Sequence, residues 1–257
     1  MASRPRAGSI EEKVAELNEL IEKTPRDQVA AYEYRLDVSW IHHDSALEGI
    51  VYEPHELAAA IDEQVVSDSS LMPVYDEIRQ FKAAIDHARA LAKRGTLEVT
   101  LDTMRDLYQF LAPDEENKGP PRYRKDIPLH RLYFHEIAPP DKIAPRMRQL
   151  LTWLGDTDAR RHMHPIRAAS KAHHKLLLIF PFPKHSGKVA RLMMNAMLMH
   201  AGYPPAILHS TDRQGYYEAL RQGSNEVSRV VQDALENAVN SGLRYFYNLH
   251  GISQTIP

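Results

Sequence analysis

Residues 179–195 read IFPFPKHSGKVARLMMN and gather a serine, a glycine and several cations within two helical turns. Pro181 and Pro183 each lack an N–H and crowd the preceding turn, so a helix arriving from the N-terminal side must stop there. Ser186 reads as the N-cap of a second helix, and Gly187 lets a ligand approach the backbone closely. Lys188 and Arg191 add positive charge one turn apart. Free N–H groups at a helix start, reinforced by the macrodipole and two cations, suit an anion, and phosphate is the obvious one. The plain alternative is an ordinary helix start with solvated charges. Lys184 either sets its ammonium against the phosphates or stays a solvated loop lysine. His185 titrates near neutrality and is the one candidate general base, although an imidazole in a tight phosphate loop also blocks the ligand's approach. A P-loop fits worse: its first glycine would fall at Phe182 and its Ser/Thr at Val189, after a helix rather than a strand.

The elements that must position this stretch read as helices throughout. Ser9 and Glu12 have capping-box spacing ahead of EEKVAELNELIEK. A second helix starts near Asp27 and stops at Gly49, and HELAAAIDEQVV after Pro54 is a shorter one. Val74, Ile78, Phe81, Ile85 and Ala88 form the seam of a long helix from about Leu71 to Arg94. Residues 100–111 follow with Thr100 or Asp102 as cap, and Asp141 caps KIAPRMRQLLTWLGD. Pro165 opens the helix that leads into the central loop. The helix from Ser186 to Ala201 is apolar nearly all round, which predicts burial in the middle of the domain. DRQGYYEALRQ is a short helix, and Val227 to Leu249 closes the domain. The proline-rich stretch 115–138 is the exception, with short extended pieces near RYRKDI and HRLYF. The expectation is an all-α fold, one domain over 1–257, with a hairpin-like insertion.

The composition narrows the function classes. The chain has 257 residues, 43% apolar and 26% charged, with a formal net charge of −2. No global basic field points to nucleic acid or to an acidic membrane. The absence of cysteine excludes disulfides and thiolate chemistry and fits a reducing cytoplasm. MASRPRAGSIEEKV has no apolar run after its arginines, so no signal peptide is expected, and LLLIFPF is too short to span a bilayer. The histidine clusters His42-His43, His162-x-His164 and His173-His174 lack the spacing of a known zinc site, and no metal is assigned.

The central stretch resembles the signature of the Fic (Fido) family, H-P-F-x-[DE]-G-N-G-R-x-x-R, whose members typically move AMP from ATP onto a protein hydroxyl. Pro181, Phe182, Gly187 and Arg191 match, as does LMMN. Phe180 stands at the family's catalytic histidine, Lys184 at its metal-binding acid, His185-Ser186 at its Gly-Asn pair and Lys188 at its first arginine. The resemblance extends to HPIRAASKAHHKLLLIF, to RYRKDIPLHRLYFHEIAPPDKIAPRMRQLLTWL, which is similar to the family's flap and next helix, and to GYPPAILHSTDRQGYYEAL. WIHHDSALEGI is similar to the inhibitory motif [ST]-x-x-x-E-[GN], keeping Glu48 and Gly49 with Asp44 at the Ser/Thr position.

The resemblance implies a Fic-like helical domain with a central helix–loop–helix anion site and a short β-hairpin flap at 115–138. Residues from about 1 to 60 would form an N-terminal helical inhibitory segment. ATP or another nucleotide would be held by Lys184, Ser186, Gly187, Lys188 and Arg191, with Tyr216 or Tyr217 bordering the base. Glu48 would pair with Arg191 in place of the γ-phosphate, since a carboxylate competes for the same guanidinium fork. A protein or peptide target would add to the flap near Arg122 to Phe134. Phenylalanine offers no lone pair, and a missing general base costs about 10² to 10⁴ in rate. An ammonium cannot coordinate, so Mg²⁺ is not expected to bind in the usual way. The first reading is therefore a nucleotide- or phosphate-binding Fic-fold protein with a degenerate active loop. Its rivals are a transferase of altered chemistry using His185 as base, and a non-enzymatic protein-interaction module.

Overall fold

In the computed structural model the described residues are 9–64, 68–113, 122–128, 135–160 and 162–252. They form α1 (Ile10–Lys23), α2 (Arg26–Leu47), α3 (Pro54–Ile61), α4 (Met72–Ala92) and α5 (Leu101–Leu111). After the proline-rich stretch come α6 (Pro140–Gly155), α7 (Thr157–Arg160), α8 (Pro165–Ile179), α9 (Ser186–His200), α10 (Arg213–Gln222) and α11 (Ser224–Leu249). The fold is all-α.

The helix ends follow local chemistry. Ser9 and Glu12 make the reciprocal capping box of α1, and Thr100 rather than Asp102 caps α5. Gly49, at φ 93°, turns the chain left-handed just past α2. Asp141 is not a cap: Pro140 already occupies the first helical position of α6, where its missing N–H costs nothing. The hairpin expected at 115–138 falls partly on residues outside those described, and the described pieces, 122–128 and 135–138, contain no strand.

The apolar girth of α9 sets the architecture. Ser186 to Ala196 is buried without interruption, and the helix packs against α8, α4 and α5. One buried cluster runs from Trp40 to Leu235 around it. A smaller cluster of Val14, Leu17, Tyr32, Val239, Leu243 and Phe246 joins α1 to α2 and α11. Gly242 permits that contact, because a Cβ there would stand 2.7 Å from the Tyr32 hydroxyl oxygen. Among the described residues no helix is long and apolar enough to cross a membrane.

α2 is held by charge as much as by apolar contact. Asp37 is buried in it and accepts from Arg89 of α4 at 2.5 and 3.0 Å, with Lys82 at 3.4 Å. At its C-terminal end His43 Nδ1 lies 3.1 Å from Ser210 Oγ, and the imidazoles of His43 and His209 stack at 4.2 Å. These contacts bring the last turn of α2 over the start of α9.

Candidate functional site

The loop between α8 and α9 is fixed from both ends. α8 stops at Phe180, which takes the left-handed conformation (φ 49°, ψ 65°) usually reserved for glycine. This costs an L-residue about 1–2 kcal/mol, and the phenyl ring is buried in the core. Arg124, itself buried, spans the turn: its backbone N–H donates to Pro181 O at 2.9 Å and its Nε to Phe180 O at 2.7 Å. Its Nη2 also donates to the carbonyls of Ala138 and Ile179. Among the described residues the guanidinium is thus satisfied by carbonyls, two of them at the C-terminus of α8, where the macrodipole favours a cation.

The second end differs from the expectation for Ser186. The N-cap is His185, again left-handed at φ 53° and making no side-chain cap bond, so Ser186 is already the first helical residue. Its hydroxyl turns back instead, accepting from the Phe182 N–H at 2.8 Å and donating to Phe182 O at 3.0 Å. Serine latches the loop rather than capping the helix. Phe182 is fully buried with its ring 4.7 Å from that of Tyr108.

Arg191 lies one turn into α9 with 3% of its surface exposed. Its Nη2 donates to Asp44 Oδ1 at 2.6 Å and to Glu48 Oε1 at 2.8 Å. Burial alone would push its pKa down, but the two carboxylates hold it well above the ordinary arginine value. The Glu48 carboxylate also lies against Gly187, and a Cβ on Gly187 would overlap Oε1 and stand 3.0 Å from Arg191 Nη1. An acidic side chain therefore occupies the place at the helix start that suits an anion.

Lys188 has a partner of its own. It is 1% exposed, its Nζ lies 3.3 Å from Glu77 Oε1 of α4, and it stands 4.7 Å over the Phe81 ring. A buried ammonium needs a counter-ion, and α4 supplies it. Lys184 is exposed on the loop. His185 is half-buried, and its pKa is lowered by burial and then by Lys188, a direction that favours the neutral imidazole. The hydroxyl of Tyr217 donates to Leu47 O at 3.1 Å, alongside Arg213 Nε at 2.8 Å, so both clasp the end of α2. The Tyr216 hydroxyl lies 3.0 Å from His173 Nε2.

The structure thus gathers Glu48, Gly187 and Arg191, pairs Lys188 with Glu77, and leaves Lys184 exposed. Sequence reasoning missed the contacts of Asp44, Glu77 and Arg124. The i, i+4 spacing of Asp44 and Glu48 puts both on one helix face and could have revealed the first. The residues do not fit Mg²⁺: Lys184 is an ammonium, and Asp44 and Glu48 are engaged by Arg191. Among the described residues no group of three or more His, Asp or Glu side chains is gathered for a metal.

With this geometry in hand, comparison with known proteins places the fold. Residues 98–198 match the Fic/DOC family. The chain is 27% identical over 187 residues to a protein adenylyltransferase Fic of Nematostella vectensis, covering 72% of this chain and 43% of that protein. It is 25% identical over 227 residues to the protein adenylyltransferase Fic of Culex quinquefasciatus, covering 86% and 44%. The chain spans less than half the length of these curated relatives. A Fic-domain-containing signalling protein of Bacteroides thetaiotaomicron superposes with a TM-score of 0.76 at 16% identity, over 94% of this chain and 99% of that one. Fic-1 of C. elegans does so with a TM-score of 0.72 at 20% identity, over 95% and 74%. The fold is that of Fic-domain proteins.

Proposed function

We propose, from the Fic fold of this chain and the Fic/DOC match of residues 98–198, a phosphate- or nucleotide-binding protein held closed by its own α2. Its curated relatives are protein adenylyltransferases, but in this reading the chain does not carry out ordinary AMP transfer. Such transfer needs a base within reach of the attacking hydroxyl, and Phe180 supplies a buried phenyl ring at the position that resembles the family's histidine.

The observation that carries the reading is the Glu48 carboxylate at Gly187 and Arg191. It marks a place built for an anion, filled from within. A carboxylate and a phosphate compete for the same donors, so removing Glu48 exposes the site. The test is calorimetric titration of ATP into the wild type and Glu48→Gly, each with and without Mg²⁺. Binding that appears or tightens in the variant, independent of Mg²⁺, is the expected result. Silence in all four titrations overturns the reading and leaves a partner-binding module whose pocket is filled.

A second reading, transfer with His185 as base, draws on the neutral imidazole at the loop. It expects label from ATP on a protein target with Glu48→Gly, lost on adding His185→Ala. Label that survives His185→Ala removes it. A target segment at residues 122–134 belongs to either reading as its protein partner.

A further inference from the structure

We infer that Asp44 fixes the ligand class of this loop as a group bearing a single phosphoryl, such as a nucleoside monophosphate, rather than a triphosphate. The inference rests on the anion-site reading and follows from how firmly each charge is held.

The two carboxylates on Arg191 are not equivalent. Glu48 follows the last residue of α2 and precedes left-handed Gly49, so its side chain can leave while the helix stays. Asp44 lies within the last turns of α2, with 4% of its side chain exposed. Its side chain is one carbon shorter than that of Glu48 and has less reach to withdraw while that turn stays. The turn is pinned through Leu47 O by Tyr217 and Arg213, and through His43 by Ser210. When Glu48 departs, Asp44 therefore remains on Arg191.

What opens is one position, beside Gly187 and Arg191 Nη1. Arg191 Nε is buried without a hydrogen-bond partner among the described residues, so donor capacity remains there. The charge is limited. Arg191 stays matched by Asp44 and Lys188 by Glu77, leaving exposed Lys184 and the partial positive charge of the α9 N-terminus. A monophosphate carries about −1.5 to −2 charge at neutral pH, which these groups can meet. Among these described residues, each further phosphoryl adds negative charge with no unmatched cation left for it, and Lys184 cannot hold a metal in compensation.

The experiment is metal-free calorimetric titration of AMP and of ATP into Glu48→Gly and into Glu48→Gly/Asp44→Ser. In Glu48→Gly the two affinities should agree within about threefold, because ATP gains nothing from its outer phosphates. Removing Asp44 frees Arg191 and should make ATP tighter than AMP by about tenfold. Asp44→Asn in the same background keeps the Oδ1 acceptor without the charge. It should move the ratio the same way, which covers a serine variant that fails to fold. An ATP preference of about tenfold or more in Glu48→Gly alone overturns this inference and leaves the anion site standing. A ratio unmoved by either Asp44 substitution does the same. No binding of either nucleotide to any variant overturns the anion site and this inference together.

Discussion

At Gly187 the absence of a side chain lets the Glu48 carboxylate and the Arg191 guanidinium share one spot. Gly187→Ala should therefore destabilise the protein by about 1–3 kcal/mol, the usual cost of overpacking, measured by urea unfolding. In a Glu48→Gly background most of that cost should vanish, since the overlapping oxygen is gone. A cost unchanged by Glu48→Gly would mean that the close approach is not what glycine serves there. Residue roles were unevenly legible. The Glu48–Arg191 pairing followed from motif resemblance, because both positions keep the residue types that meet. The partner of Lys188 was not legible, because its spacing from Arg191 says that both charges start one turn apart but not where a long flexible side chain ends. Burial against Phe81 and Glu77 decides that.

Helices and their ends were the most legible part of the chain. The Ser9–Glu12 box, Gly49, Pro54, Thr100 and Pro165 act within about a turn of backbone, and each set a boundary where its chemistry required one. Ser186 was the exception. The side chain is a good cap, but the backbone at His185 turns left-handed and starts the helix one residue earlier than a serine cap would. Propensity alone does not single that out: histidine is enriched at φ > 0 among non-glycine residues, but the conformation is uncommon for any of them. α2 reads as an ordinary helix, yet it buries Asp37 and Asp44 against cations of α4 and α9. Removing one partner of a buried pair strands the other charge, at a cost of about 3–5 kcal/mol. The same geometry that can be read as inhibition thus also holds the helix in place.

Across the whole molecule, buried histidines tie stability to pH. Burial, aided by His209 and His42, lowers the His43 pKa to about 4, and burial beside Arg191 lowers that of His173 to about 3. Each is neutral when folded and protonates near 6.5 when unfolded. Their contribution is full above about pH 6.5 and is lost as pH falls toward the folded values, because the unfolded state then binds more protons. Urea unfolding from pH 7 to 5 should show stability falling by up to about 1.4 kcal/mol per pH unit for each histidine, less for the half-exposed His43. His43→Gln should flatten the slope, and an unchanged slope would remove His43 from the account. The sequence by itself determined the helical fold and the loop between two helices, since caps, prolines and apolar periodicity act over a few residues. Only the tertiary structure decided which charges meet. Arg191 finds Asp44 and Glu48 across 147 and 143 positions, and Lys188 finds Glu77 across 111. Such pairings form because packed helices bring distant carboxylates to cations that cannot be buried alone.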